Sequence, residues 1–340
     1  MAISPAIEID GAPTLILRRS EVRRALNVRD CIAAVERAFV SHSRGETLGP
    51  AILGVHVPGG GFHVKAAGLA LEARPTVFAA KINANFPGNP TRHGLPSIQG
   101  ILGLFDAANG RVLALMDSSE ITALRTAAAT AVAAKYLAPV TADVVVCGCG
   151  EQSRHQLRAL ACVRSISRVR AFDIDSTRAA RFVADMQREL ETDASVVSDL
   201  ATVRDATTWI TCTPSRRWLV GRAHVAPGCF VAAVGADSSE KQEIEPELLA
   251  ASVVIADILD QSATIGDLHH AIDAGLMRRE DVRAELADVV SGQTRGRLSE
   301  EEIVIFDSTG TALQDVAAAA VVYDHALARG DCVSIDLSQP

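Results

Sequence analysis

Near the middle of the 340-residue chain, Asp143-Val-Val-Val-Cys147-Gly148-Cys-Gly150-Glu151-Gln152-Ser153 joins an apolar strand to a glycine turn and a helix start. These residue types suit a dinucleotide pyrophosphate. Gly148 allows the tight turn, and Gly150 lets backbone approach phosphate oxygens with no side chain between. Glu151, Gln152 and Ser153 lead straight into the helix-like Arg154 to Cys162, whose N-terminus would offer free N–H groups and the positive end of its dipole. Gln152-Ser153 stands near the third glycine of the pattern, so the loop alone also fits an ordinary strand-to-helix turn. Roughly 20 residues on, Arg168-Val-Arg-Ala-Phe-Asp173-Ile-Asp175 reads as a second strand ending in a carboxylate. At that position Asp173 would bind ribose hydroxyls and repel a phosphorylated ribose. NAD(H) is therefore the expected cofactor, with NADP(H) kept open by Arg170 and Arg178.

The elements around the loop must place it at the edge of a sheet. Residues 144–147, 169–172, 195–197, 208–212, 229–234 and 253–256 read as six strands with helical segments between most of them. Residues 302–306 add one more, ending in the polar turn Asp307-Ser308-Thr309-Gly310. This alternation predicts the α/β class, with a Rossmann-type doubly wound parallel sheet. Such sheets bind ligands at the carboxyl ends of their strands. Thr211, Thr213, Val234 and Gly235 are thus expected beside the nicotinamide ribose, and Ser308, Thr309 and Gly310 beside the nicotinamide. Residues 267–286 are expected to be helical.

Residues 51–116 have a different character: short apolar runs separated by Gly, Pro and Asn, as in a mostly antiparallel sheet. A helix is expected over 29–44, where Ile32, Val35 and Phe39 recur at helical spacing and Gly45 closes the segment. Ser118-Ser119-Glu120 offers an N-cap and an acidic first turn for a long Ala-rich helix that ends at Leu137, before Pro139. Residues 312–329 form a final helix that could return to the first domain. The expected division is a smaller α+β substrate-binding and dimerisation domain, 1–125 with 312–340, and an NAD(P)-binding domain, 126–311.

Composition narrows the function classes. The chain is 48% hydrophobic, enough for two cores, and its net charge of −8 comes with no basic stripe interleaved with aromatics, which argues against nucleic acid. Seven cysteines, odd in number and mostly within apolar runs, suit free thiols in a reducing compartment. No C-x-x-C or H-E-x-x-H spacing supports a metal site, and His269-His270 reads as a polar helix face. The N-terminus lacks the pattern of a secretory signal, and the Ala/Val runs at 126–134 and 316–322 are short for a membrane span. A cytoplasmic protein with no membrane partner is expected.

Several motifs, in order, resemble the ornithine cyclodeaminase/mu-crystallin family, which includes alanine dehydrogenases and ketimine or imino-acid reductases. They are Lys81-Ile-Asn-Ala-Asn-Phe-Pro-Gly-Asn-Pro90, Gly94-Leu-Pro-Ser, Leu124-Arg125-Thr-Ala-Ala, Gly148-Cys-Gly150-Glu-Gln152, Val234-Gly235-Ala-Asp237 with Lys241-Gln-Glu243, and Phe306-Asp307-Ser-Thr-Gly310. The resemblance implies a homodimer, a substrate domain built from both chain ends and a Rossmann domain between them. It also implies that Lys81 and Arg125 hold a substrate carboxylate and that Asp237 transfers a proton. By residue type alone, Lys81 is an edge-strand charge, Arg125 a surface helix residue and Asp237 an acidic turn. The proton-transfer role of Asp237 would be helped by burial that lifts its pKa and opposed by nearby Lys241.

This chain also departs from the family pattern. Pro50-Ala-Ile52-Leu lacks an arginine that many members carry on that early strand, and His63 and Lys65 stand where ornithine-type members place a glutamate. Two basic residues would repel the distal ammonium of ornithine, whereas Lys65 can grip a carboxylate. The expected activity is an NAD(P)H-dependent imino-acid or ketimine reductase, in reverse an L-amino-acid dehydrogenase. Its substrate would be a small, acidic or cyclic imino acid such as pyrroline-2-carboxylate. The alternative is an ornithine cyclodeaminase that yields L-proline and ammonia, and a non-catalytic nucleotide-binding protein is a third reading.

Overall fold

The computed structural model describes residues 13–71 and 75–337. In chain order the first elements are β1 (Thr14–Leu17), α1 (Arg19–Ala25), α2 (Val28–Ser43), β2 (Thr47–Val57), β3 (Gly60–Leu69), β4 (Val77–Asn85), α3 (Asn89–Arg92), β5 (Ile98–Asp106), β6 (Val112–Asp117) and α4 (Ser118–Leu137). There follow β7 (Thr141–Cys147), α5 (Glu151–Leu160), β8 (Ser165–Phe172), α6 (Ser176–Leu190), β9 (Asp193–Val196), β10 (Thr208–Thr211), β11 (Arg216–Val220), β12 (Phe230–Ala233) and β13 (Gln242–Ile244). The rest are α7 (Pro246–Ala250), β14 (Val253–Ala256), α8 (Leu259–Ile265), α9 (Asp267–Asp273), β15 (Ala284–Glu285), α10 (Leu286–Val290), β16 (Val304–Asp307), α11 (Ala312–Arg329) and β17 (Val333–Ile335). Contacts divide the chain into Met1–Arg125 with Ala312–Pro340, and Thr126–Thr311.

The first unit carries a seven-stranded sheet in the order β17-β1-β6-β5-β4-β3-β2. Strands β2 to β6 form the antiparallel meander that the short apolar runs predict. At the edge, β1 adds parallel to β6 and β17 antiparallel to β1, two short strands that the sequence reading did not include. Alternation along β3, β4 and β5 sends Ala67, Leu69, Ala79, Leu102 and Leu104 to a buried face, and α11 packs on β3, β4 and α2. Lys65 and Lys81 lie on that same face, directly opposite each other in register, followed by the pair His63 and Asn83. The opposite face exposes Leu53, Val55, Phe62, Ile82 and Ile101.

In the second unit eight parallel strands run β15-β14-β16-β12-β10-β7-β8-β9. Strand β7 is flanked by β8 on one side and β10 on the other, so the chain reverses direction across the sheet at β7. The glycine loop follows β7 and therefore sits at the topological switch point, where doubly wound sheets open a crevice. Val145, Trp209, Val231, Leu248, Leu268 and Ile305 fill the core beneath.

Two local expectations are corrected. The helix expected over 267–286 ends at Asp273, because Gly275 takes a φ of +71° and turns the chain. A 3-10 turn, Arg279–Asp281, and the short β15 beside β14 follow it. Helix α4 spans 118–137 as expected, but its first turn is capped by Asp117, whose Oδ1 accepts the Ser119 N–H at 3.0 Å. Ser118 Oγ instead donates to Asn83 Oδ1 at 2.6 Å.

Candidate active site

Three elements of the first unit converge on one buried carboxylate. Lys81 of β4 places Nζ 2.7 Å from Asp315 of α11, and Arg125 of α4 places Nε 2.9 Å from the same group. Arg125 Nη1 also donates to Gln314 Oε1 at 2.8 Å. Lys81, Arg125 and Asp315 are 2%, 5% and 1% exposed, so neither cation is the surface residue that its type alone suggests. Lys65 is buried beside Lys81, and His63 is half-buried one residue pair along.

Burial is the main force on the Lys81 ammonium. Asp315 opposes it, Arg125 and Lys65 add to it, and the pKa falls to about 7. Burial alone would raise the Asp315 carboxyl, but Lys81 and Arg125 together outweigh it and hold the group below its ordinary range. A buried site with three cations around one carboxylate is suited to a small anion. Asp315 and Gln314 were not singled out from the sequence. The available signal was a carboxylate inside the Ala/Val-rich run of α11, where a charge must have a partner.

In the second unit Gly148 has a φ of +88°, and a Cβ there would lie 2.7 Å from the Cys212 carbonyl oxygen, so the turn itself requires glycine. Gly150 differs. A Cβ there would meet nothing within 4 Å, so no neighbour in the chain demands a glycine. Gly150 is the N-cap of α5 and makes no side-chain cap, while Glu151 is exposed and Ser153 Oγ donates back to the Gly148 carbonyl. Gln152 lies in the same first turn. Open space over an uncapped helix start is what a pyrophosphate requires. Asp173 Oδ2 accepts the Cys149 N–H at 2.8 Å, fixing the carboxylate against the glycine loop.

Of the two arginines that could read a 2′-phosphate, Arg170 is buried and committed to Asp143 at 3.0 Å and Asp205 at 2.6 Å. Arg178 is exposed, 3.5 Å from Asp173.

Buried carboxylates hold the loops at the carboxyl edge of the sheet. Glu243 accepts from Thr211 Oγ1 at 2.7 Å, the Thr213 N–H at 2.5 Å and the Gly235 N–H at 2.7 Å. Asp267 Oδ1 accepts the N–H groups of Glu243 and Ile244 at 2.7 and 2.9 Å, and Asp307 accepts those of Asp267 and Leu268 at 3.2 and 2.9 Å. Asp257 accepts from Thr309 Oγ1 at 2.8 Å and the Gly310 N–H at 2.7 Å. Burial raises the pKa of Glu243 and Asp267 and lifts Asp307 to about 7. Thr211, Thr213 and Gly235 are thus brought together, with buried Val234 beside them, and Thr309 and Gly310 are held by a different carboxylate. Ser308 Oγ is buried without a hydrogen-bond partner among the described residues.

Asp237 stands apart from this group. Its side chain is 52% exposed and lies 2.5 Å from Lys241 Nζ, so the burial expected to lift its pKa is missing from the structure as it stands. His270 Nε2 lies 2.8 Å from the Lys241 carbonyl, and among the described residues no cluster of side chains could hold a metal ion. No helix among them is long and apolar enough to cross a membrane.

Three solved structures are similar over nearly the whole chain. An archaeal alanine dehydrogenase dimer with bound NAD is 36% identical, with a TM-score of 0.90 over 95% of this chain and 99% of that one. The Δ1-pyrroline-2-carboxylate reductase of Thermococcus litoralis, in complex with NADH and L-proline, is 29% identical, with a TM-score of 0.89 over 95% and 100%. The iminosuccinate reductase of Paracoccus denitrificans, in complex with NAD+, is 32% identical, with a TM-score of 0.88 over 96% and 100%. A family model matches residues 13–330, and the chain belongs to the ornithine cyclodeaminase/mu-crystallin family.

Proposed function

We propose that the protein is an NAD(H)-dependent imino-acid reductase, in reverse an L-amino-acid dehydrogenase, acting on a small or acidic imino acid. The observation that carries this reading is the buried grip of Lys81 and Arg125 around Asp315, in a chain whose Gly148–Ser153 loop and Asp173 fit a dinucleotide. Gly150, Glu151, Gln152 and Ser153 would receive the pyrophosphate, and Asp173 the adenosine ribose. Thr211, Thr213, Val234 and Gly235 would border the nicotinamide ribose, and Ser308, Thr309 and Gly310 the nicotinamide, with the Ser308 hydroxyl free to bond it. When bound, the cofactor supplies the hydride.

Lys81 and Arg125 would fix the substrate carboxylate, so that the position of the C=N carbon is set by two cations rather than by diffusion. Asp237 would deliver a proton to the imine nitrogen, giving the amino acid. Exposed in this structure, it has the solvent access needed to be reprotonated between turnovers. Lys65, buried opposite Lys81, favours an anionic substituent over the distal ammonium of ornithine. The chain is proposed to act as a homodimer. The exposed face of Leu53, Val55, Phe62, Ile82 and Ile101 is an apolar patch of the kind that a second copy would cover.

The test is NADH oxidation by the purified protein against 2-oxo acids with ammonia or methylamine, pyrroline-2-carboxylate and iminosuccinate. L-ornithine with NAD is assayed in parallel for ammonia release. Stoichiometric loss of NADH with one imino acid is expected. Ammonia and proline from ornithine with no net NADH change would establish a cyclodeaminase instead, and no turnover with NADH bound would leave a binding protein.

A further inference from the structure

One buried side chain ties together the loops that leave β10 and β12. Glu243 reaches the Thr211 hydroxyl at the end of β10, the Thr213 N–H on the loop that follows and the Gly235 N–H on the loop after β12. The fit around it is close. A Cβ on Gly235 would lie 2.4 Å from the Thr213 carbonyl oxygen and 2.5 Å from the Glu243 carboxyl carbon. The Glu243 backbone is itself anchored, because its N–H and that of Ile244 both donate to Asp267 Oδ1. Glu243 is 0% exposed, so it acts through the groups it holds.

Only a carboxylate suits this position. Its two oxygens provide about four acceptor sites and no donor, whereas a glutamine has one acceptor oxygen and would turn an NH2 toward a backbone N–H. The two loops carry the residues assigned above to the nicotinamide ribose, and Asp237 follows Gly235 by two positions. The adenosine half of the cofactor is assigned to different loops, after β7 and β8, with which Glu243 makes no hydrogen bond among the described residues.

We propose that Glu243 is a positioning residue for the nicotinamide half of the cofactor, fixing the β10 and β12 loops, and through them Asp237, without contacting either ligand. The inference rests on the cofactor placement proposed above. It predicts that damage at Glu243 separates the two halves of the dinucleotide, which a general loss of structure would not do.

The experiment measures calorimetric affinities of NADH and of ADP-ribose for the full-length protein and its Glu243→Gln variant. NADH binding should weaken about tenfold and ADP-ribose binding should stay within about twofold, the scale of one lost buried acceptor. If Glu243→Gln does not fold, Glu243→Asp, one methylene short of the same donors, carries the test with the same selective pattern. Equal weakening of both ligands, no change in either, or a wild-type protein that binds NADH no better than ADP-ribose overturns the proposal. Because binding is read without turnover, a protein that shows this pattern but reduces no imino acid would refute the reductase reading alone.

Discussion

In the first unit three buried cations, Lys65, Lys81 and Arg125, gather near one carboxylate, Asp315. At the sheet edge of the second unit, Glu243, Asp267, Asp307 and Asp257 are all buried, and the bonds described for them come from backbone N–H groups and hydroxyls. The two solutions to burying charge teach different things. Carboxylates met by N–H groups serve to fix loops, although Asp267 Oδ2 has no hydrogen-bond partner among the described residues. Lys81 and Arg125 are met instead by one side-chain carboxylate, Asp315, which ties β4 and α4 to α11.

Asp237 is the exposed exception among these carboxylates, and replacing it should have the largest effect. Asp237→Asn is expected to lower kcat by about 100- to 10,000-fold, the range of general acid catalysis, while the Kd for NADH stays within about twofold. Steady-state NADH oxidation and calorimetry measure the two quantities. Unchanged turnover would remove Asp237 from the chemistry and weaken the distinction between it and the buried group.

Next in size is Asp315→Ala, which leaves Lys81 and Arg125 buried without their counter-ion. Breaking a buried pair in this way costs about 3–5 kcal/mol, so denaturant unfolding should show a large loss of stability. A loss under about 1 kcal/mol would mean that the cations escape to water, and that the site is not the closed cationic one described.

Lys65→Met sharpens the comparison further. If the cation excess selects an acidic substrate, kcat/KM for iminosuccinate should fall about tenfold more than kcat/KM for the imine of pyruvate, as for one lost charge-assisted contact. Equal losses would make Lys65 a general carboxylate ligand.

The smallest effects are read against pH. Lys81, with a pKa near 7, must be protonated to hold an anion, so binding of a non-reacting carboxylate inhibitor should weaken as pH rises through about 7. The inhibition constant against pH measures this, and a flat profile from pH 6 to 9 would contradict it. For Asp307 the sign concerns stability. Its folded pKa, about 7, exceeds the ordinary value of 3.8, so its stabilising proton is present at low pH and lost as pH rises through about 7. The Tm of wild type relative to Asp307→Asn, which stays neutral at every pH, should therefore fall as pH rises from 3.8 to about 7.

Much of the scaffold was legible in the sequence because it is encoded over short distances. Apolar runs bounded by turn residues marked most strands of both sheets, and the glycine loop with Asp173 marked the switch point. The helix expected over 267–286 failed where a single glycine turned the chain. Short strands such as β1, β15 and β17 carry too few residues for a periodic signal, and their pairing depends on a neighbour far along the chain.

The chemistry divides in the same way. Local sequence alone singled out the glycine loop proposed for the dinucleotide, because a strand, a glycine turn and a helix start are contiguous. Motif resemblance singled out Lys81, Arg125 and Asp237. Only the tertiary structure joined Lys81 to Asp315, 234 positions away, and set Glu243 under both Thr213 and Gly235. Nothing local marks such partners. A buried charge or N–H group must be satisfied by whatever the fold brings within about 3 Å, and that is decided by packing rather than by neighbours in sequence.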